Sequence, residues 1–321
     1  MLGQREDRSS EHLAGGNDFR ASVLEGLSRP HKSLSSRFLY DAKGSELFEE
    51  ITRLPEYYPT RTETAILEAH AAEIVDGVPD GSVLVEFGSG SSCKTEILLG
   101  KLPRLSAYVA IDVSQSALKA AKLRLASHFP HLEIYPILGD FSDRLTLPAS
   151  IANRKKIGFF PGSTIGNFEP AEAVRLLNHF RTILSPGGRL VVGVDLKKDP
   201  AMLVRAYDDA CGVTAAFDLN LLARINREVG GTFDLASFRH KAIYNADEGR
   251  IEMHLESKRD QDVRVSDRVF HFRAGETIHT ENAYKYAIAE FRDLARAAQW
   301  QPRRVWTDKN NLFSVHELIA A

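Results

Sequence analysis

The sequence predicts an α/β protein: a doubly wound, mostly parallel sheet with an α+β domain inserted late in the chain. Three observations predict it. Five short apolar runs alternate with helical patterns between residues 62 and 198, and such alternation argues for parallel pairing through crossovers. The runs are apolar at successive positions, as expected of strands covered on both faces. The alternation then stops, and residues 199–286 carry two helical stretches followed by period-2 segments, the mark of antiparallel strands with one exposed face.

Residues 1–17 are polar and contain Gly and Ser, so a disordered tail is expected. FRASVLEGL (19–27) and KGSELFEEITRL (43–54) read as helices, the second with Leu47, Phe48, Ile51 and Leu54 on one stripe. PEYYPTR (55–61) is bounded by prolines, and a helix is expected from Thr62 to about Asp76. The five apolar runs are VLVEFGSGS (83–91), AYVAIDVS (107–114), LEIYPILGDF (132–141), KIGFFPGSTIGNF (156–168) and RLVVGVDL (189–196). Helices at 114–129 and 170–184 separate them, the second leading through an SPGG turn. In the insert, residues 241–258 alternate about Ile251, Met253 and Leu255 with NADEG as the turn, and 265–280 reads as strand, turn, strand. A helix at 285–300 resumes the first pattern, and 303–320 reads as a closing hairpin. The expected organisation is a tail (1–17), a core (62–198 and 287–321) and a second domain (18–61 and 199–286).

A chain of 321 residues suits two domains. Apolar content of 43% and charged content of 26% are ordinary for a soluble globular protein. The net charge of −2, from 41 basic and 43 acidic residues, leaves no electrostatic footprint for nucleic acid or an anionic membrane. A small-molecule partner fits better, and a monomer is expected. Cys93 and Cys211 form neither a C-x-x-C nor a zinc spacing, which favours a reducing, cytoplasmic setting. The polar N-terminus has no apolar signal region, and no run of ~18 apolar residues exists to span a bilayer. The eleven histidines show no paired ligand spacing, so no metal is expected.

Chemistry concentrates at the ends of the apolar runs. Gly88-Ser89-Gly90 follows the first run, where glycines permit a tight turn and close approach of backbone to a ligand. The turn lacks both the third glycine of the dinucleotide fingerprint and the P-loop spacing. Asp112 ends the second run, where a carboxylate can accept from both hydroxyls of a ribose. Asp140-Phe141 ends the third, an acid and an aromatic suited to the edge and face of an adenine. Either acid could be an ordinary helix cap; a Gly-rich turn and two acids, in order at three strand ends, point to a nucleotide-like ligand. A nicotinamide oxidoreductase also has a Gly-rich turn and then an acid, but usually carries a fuller G-x-G-x-x-G and needs an acid/base pair for hydride chemistry.

The order VEFGSGS, AIDVS, GDF resembles the signature of class I S-adenosylmethionine-dependent methyltransferases. Their Rossmann-like core ends in an antiparallel strand, which the closing hairpin fits. In such enzymes the loop after the fourth strand meets the acceptor. Here it reads PGSTIGNF (161–168), and Asn167 offers both a donor and an acceptor, suiting the amino and carboxylate groups of an amino acid.

Further segments carry a narrower resemblance: FLYDAKGSELFEEITRLPEYYPTRTE (38–63), FFPGSTIGNF, LVRAYDDACGVTAAFDLNLLARINRE (203–228), RIEMHL (250–255) and GETIHTENAYKY (275–286). From about residue 18 to the C-terminus the chain resembles the histidine-specific methyltransferase family of ergothioneine biosynthesis, which trimethylates the α-nitrogen of L-histidine to give hercynine. The resemblance implies S-adenosylmethionine as cofactor, with Tyr40, Gly88, Lys94, Asp112, Asp140 and Phe141 in its site. It implies that Asn167 and Tyr207 hold the amino-acid backbone and that Tyr57 lies near the amino group. Glu281, with Met253 beside it, would read the imidazole, and Phe48, Gly162 and Thr214 would line the pocket. Tyr40 and Tyr57 are the candidate catalytic residues, with Phe48 adding an aromatic face for a methylated nitrogen.

One position departs from the family pattern. A serine two residues after the glutamate helps bind the imidazole there, and Ala283 stands in its place here. The missing hydrogen bond is worth about 0.5–1.5 kcal/mol net. Asn282 is the neighbouring candidate to replace it. Relatives in the family act on indole amino acids, while Glu281 favours an imidazole. Another amino-acid acceptor, or a non-catalytic module binding S-adenosylmethionine or an amino acid, therefore stays open at this point.

Overall fold

The computed structural model describes residues 7–90, 92–184 and 187–321, with side chains from residue 18 onward. Residues 1–6 of the polar tail, Ser91 of the Gly-rich turn, and Ser185 and Pro186 of the SPGG turn lie outside the described residues. The chain runs through α1 (Asp7–Ser28), α2 (Ala42–Ile51), α3 (Tyr58–Val75), β1 (Val83–Phe87), α4 (Cys93–Leu99), β2 (Ala107–Asp112), α5 (Gln115–His128), β3 (Glu133–Leu138), α6 (Ala149–Ala152), β4 (Lys156–Phe160), α7 (Pro170–Leu184) and β5 (Arg189–Asp195). It continues through α8 (Pro200–Tyr207), α9 (Val213–Val229), β6 (Phe238–Asn245), β7 (Arg250–Ser257), β8 (Gln261–Val265), β9 (Arg268–Phe272), β10 (Thr277–Tyr284), α10 (Ile288–Ala297), β11 (Trp300–Thr307) and β12 (Phe313–Ala320). Two compact units result. One comprises Met1–Ile51, Val204–Tyr244 and Glu252–Glu281; the other comprises Thr52–Leu203, Asn245–Ile251 and Asn282–Ala321.

The second unit holds a seven-stranded sheet of order β11-β12-β5-β4-β1-β2-β3. β1 pairs in parallel with both β2 and β4, and β12 runs antiparallel to both β5 and β11. The strand order reverses between β1 and β4, and ligands of open α/β sheets bind at such a switch, beyond the carboxyl ends of the strands. The alternation of side chains divides the core by face. Val83, Val85 and Phe87 pack in one cluster with Leu176, Leu177 and Phe180 of α7. Leu84 packs in the other with Ile66 and Leu67 of α3 and Leu98 of α4. Each such side chain stabilises the fold by roughly 1.5–3 kcal/mol relative to exposure.

Three details differ from the sequence reading, each for a local reason. Helix α3 starts at Tyr58 rather than Thr62 because Pro59 sits in its first turn, where a missing N–H costs nothing. Strand β3 is not covered on both faces: Leu138 is 57% exposed, since β3 is an edge strand and carries Pro136, which edges tolerate. Helix α10 starts at Ile288 rather than near 285, because Tyr286 first bridges to the end of β5, its N–H bonding to Asp195 O at 3.2 Å.

The period-2 segments form a three-stranded sheet of order β10-β7-β6 and a separate β8-β9 hairpin. Residues 265–280 thus belong to two different sheets. In the other unit, helix α1 begins at Asp7, ahead of the 19–27 stretch, and buries Phe19 against Phe38 at 4.8 Å between ring centroids.

Candidate active site

At the switch point the turn after β1 lies across the end of β2. The N–H groups of Gly88 and Ser89 both bond to Ile111 O, at 2.9 and 3.1 Å. Gly88 and Gly90 have φ of +74° and +46°, conformations that glycine adopts without strain. A Cβ on Gly88 would stand 3.3 Å from the Phe141 ring. Asp112 is oriented by two backbone donors, Gly90 N to Oδ2 and Ser114 N to Oδ1, both at 2.8 Å, which leaves further lone pairs on each oxygen. The chain after β3 is tied to the same place by Gly139 N to Asp112 O at 3.0 Å, which brings Asp140 and Phe141 there. Phe141 packs edge-on against Phe160, Phe168 and Phe180. A bare turn, a fixed carboxylate and an aromatic face suit a ribose and an adenine.

Glu86, one turn below, is 1% exposed and accepts from the Tyr108 hydroxyl. Burial pushes its carboxyl up to about 7, against the opposing pull of the Tyr108 hydroxyl and the Lys94 ammonium. The folded chain therefore holds a proton on Glu86 between about 4.5 and 7, where the unfolded chain has lost it. That contribution is complete below the unfolded value and disappears as pH rises through 7. Glu86→Gln is neutral throughout, so its Tm relative to the native chain should climb between pH 5 and pH 8, by at most about 3 kcal/mol in stability. Parallel Tm–pH curves for the two proteins would count against the buried proton.

Glu63 of α3 joins Lys94 of α4 to the loop after β4. It is fully buried, pairs with Lys94 Nζ, and accepts from Gly162 N at 2.9 and 3.1 Å. The loop itself is sharply bent, with Gly162 and Ser163 at φ of +79° and +59°. Ser163 Oγ accepts from Asp195 N at 2.9 Å, and a Cβ on Gly166 would stand 2.7 Å from Tyr284 O. Asn167 ends the single 3-10 turn Thr164–Asn167 that this bracing holds. Tyr57, 7% exposed, immediately precedes α3.

The remaining predicted residues sit in the first unit. Asp41 accepts from Gly44 N in the first turn of α2 and from Asn220 and Arg227 of α9. Burial alone would raise its carboxyl, yet these bonds hold it below the ordinary range. The same clamp brings together the rings of Tyr40, Phe48 and Phe217, with centroids 5.5–6.0 Å apart. Asp209 accepts from Val213 N and Thr214 N, fixing Thr214 at the start of α9. The Tyr207 carbonyl lies 2.8 Å from His240 Nε2, and Asp218 lies 2.7 Å from His240 Nδ1. Both partners are acceptors, so both ring nitrogens carry protons; burial opposes the charge, but Asp218 raises the His240 pKa overall.

On β10, Glu281 is buried at 8% exposure and Ala283 at 4%. Residues two apart on a strand share a face. Asn282 points elsewhere: its Nδ2 bonds to Glu169 Oε1 at 3.1 Å, and the Tyr284 hydroxyl bonds to the same carboxylate. Asn282 therefore does not replace the serine hydroxyl. Met253 is fully buried, its carbonyl accepting from Thr280 at 3.1 Å. Glu252, His254 and His279 place donor atoms within 4.8 Å of one another. The two rings, however, stack at 23°, which sets their lone pairs in separate, nearly parallel planes, and one nitrogen of each faces a neighbour: His254 Nε2 lies 3.1 Å from Glu252 and His279 Nε2 3.1 Å from Glu281 O.

Glu63, Ser163, Asp195, Lys198, Lys285 and the His240–Asp218 pair were not singled out by the sequence. A signal existed for Glu63: Gly193 interrupts the apolar run RLVVGVD, and an isolated strand glycine suggests close approach of another group. A Cβ there would overlap Glu63 Oε1 and lie 2.9 Å from its Cδ.

The strand order, the parallel β1–β5 core and the closing antiparallel hairpin define a class I methyltransferase fold. The match to known proteins is narrower: residues 19–320 fit the family described as histidine-specific methyltransferase, SAM-dependent, and the chain belongs to it. The "Histidine N-alpha-methyltransferase" of Mycolicibacterium smegmatis is 43% identical over 299 residues, covering 90% of this chain and 91% of that one. The protein of the same description from Mycobacterium tuberculosis is 42% identical, covering 94% and 95%. "Ergothioneine biosynthesis protein 1" of Neurospora crassa is 32% identical over 89% of this chain, which corresponds to 33% of that longer protein. No described helix is long and apolar enough to cross a membrane.

Proposed function

We propose that this chain transfers methyl groups from S-adenosylmethionine to the α-amino nitrogen of L-histidine, three in succession, giving hercynine. The family match over nearly the whole chain carries this reading. The buried Glu281 carboxylate supports an imidazole, since a site built to accept from a ring N–H discriminates strongly against analogues that lack it. S-adenosylmethionine supplies an already activated sulfonium methyl. Gly88, Lys94, Asp112, Asp140 and Phe141 are proposed to hold it, with Tyr40.

In each transfer the nitrogen lone pair forms the N–C bond as the C–S bond breaks, its electron pair returning to sulfur. The protein's part is to orient the nitrogen in line and let its protons leave. Asn167 and Tyr207 are proposed to hold the amino-acid backbone, Tyr57 to relay protons from nitrogen to water, and Tyr40 and Phe48 to present aromatic faces to the growing cation. Gly162, Thr214 and Met253 complete the proposed lining. A reducing, cytoplasmic setting fits the two free, exposed cysteines; a monomer is proposed alongside it.

Mass spectrometry of the protein incubated with S-adenosylmethionine and L-histidine tests this. Trimethylated histidine is expected; unmodified histidine beside a methylated tryptophan or other amine would reassign the acceptor. Ala283→Ser should restore a ring hydrogen bond and lower the KM for histidine about two- to tenfold. An unchanged KM in steady-state kinetics would mean that this face of β10 does not read the imidazole.

A further inference from the structure

One residue ties the loop 161–168 to the start of α3, the end of β5 and the chain just past β10. Asp195, at the end of β5, is fully buried, and all its hydrogen-bonding groups are engaged. Its N–H donates to Ser163 Oγ at 2.9 Å, inside the loop. Its carbonyl accepts from Tyr286 N at 3.2 Å, just past β10. Its carboxylate accepts from the Tyr58 hydroxyl at 2.8 and 2.9 Å, at the start of α3 and next to Tyr57. Two ammonium groups complete it, Lys285 at 2.9 Å and Lys198 at 2.6 Å.

Lys198 also donates to the Tyr58 oxygen at 2.6 Å and to Leu196 O, which uses its three protons. Burial alone would raise the Asp195 carboxyl, yet Lys285 and Lys198 hold it below the ordinary carboxylate range, so it stays charged. Two buried ammonium groups face this carboxylate, and Asp308 attracts Lys198 as well. Buried ion pairs are a weak source of net stability, so what these bonds chiefly supply is fixed geometry.

We propose that Asp195 is the positioning residue of the acceptor side. Through Ser163 it sets the loop that carries Asn167, and through Tyr58 and Lys198 it sets Tyr57. The inference rests on the acceptor lying at that loop. None of its bonds reaches Gly88, Asp112 or Asp140, so the donor side is expected to be indifferent to it.

The test compares kcat and KM for histidine with the dissociation constant for S-adenosylhomocysteine, measured by calorimetry. Asp195→Asn leaves two ammonium groups facing a neutral amide and is expected to impair folding. Tyr58→Phe removes a single oxygen and is the variant that decides. Its kcat/KM for histidine should fall about ten- to a hundredfold, as misplacement of a reacting group does, while S-adenosylhomocysteine binds within about twofold of the native protein. Lys198→Met should show the same split, and Lys198→Arg should recover part of the loss. A merely structural knot would lower both quantities together or neither, and either result overturns the proposal. Asn167→Ala serves as comparator. If it leaves histidine kinetics intact, the loop is not the acceptor site and the reading beneath the proposal fails; if Asn167→Ala is crippling and Tyr58→Phe is silent, the positioning role alone fails.

Discussion

Replacing Asn167 with alanine is expected to cut kcat/KM for histidine by about a hundred- to a thousandfold. The argument starts from how little freedom the loop has. Gly162 N is held by Glu63, Ser163 by Asp195 N, and Gly166 is packed against Tyr284 O. The backbone therefore keeps its course when the side chain is cut back. A carboxamide can donate to a carboxylate and accept from an amine. Hydrogen bonds to charged groups contribute about 1.5–3 kcal/mol each, and two of them reach the stated range. The loss should fall on every amino acid the protein accepts, because the proposed contact is to the part they share. Glu281→Ala, by contrast, should harm histidine chiefly. S-adenosylhomocysteine affinity should move by less than about threefold, since Asp112 and the Gly88 turn are held by β2. Calorimetry beside steady-state kinetics checks this, and equal losses on both sides would refute the division of labour.

The second large effect is on stability. Gly193→Ala is expected to destabilise the sheet-bearing unit by about 3 kcal/mol or more. Gly193 lies in β5, opposite Val315 of β12, so its backbone is fixed by a central strand. The added methyl would overlap Glu63 Oε1 and lie 3.2 Å from the Phe313 ring. Glu63 must then leave its place between Lys94 and Gly162 N, which breaks a buried ion pair and two hydrogen bonds. A fall in Tm of about 4–5 °C or more follows for a protein of this size. A Tm within about 1 °C of the native value would show that Glu63 has somewhere else to go.

These two positions show what could be read from residues alone. The strands were legible because VLVEF, AYVAID, KIGFF and RLVVGVD are apolar at consecutive positions, which only a doubly covered sheet requires. The acids at their ends were legible for a topological reason: parallel strands present all their carboxyl ends on one side, so order in the chain becomes proximity in space. The first turn of α3 was less legible, because Pro59 reads equally as a boundary or as a helix start. The supports of the site were hidden for another reason. Glu63 looks like any polar residue in TRTE, and only Gly193, 130 positions later, hints at it. His240, Asp218 and Tyr207 form one chain of hydrogen bonds, yet nothing local to any of them announces the others. Asn282 was ambiguous until Glu169 fixed its direction.

The path of the polypeptide between its two units has a practical consequence. The chain passes from one to the other at residues 51–52, 203–204, 244–245, 251–252 and 281–282. Neither unit is a contiguous stretch, so neither can be cut out and expressed as a piece, and grafting residues 199–286 onto a foreign scaffold would carry only part of either. A nick in the NADEG turn severs no unit from its own remote segments in space, but a translation stop there leaves both without strands they need. Redesign of this chain is therefore more accessible through single replacements than through exchange of whole modules.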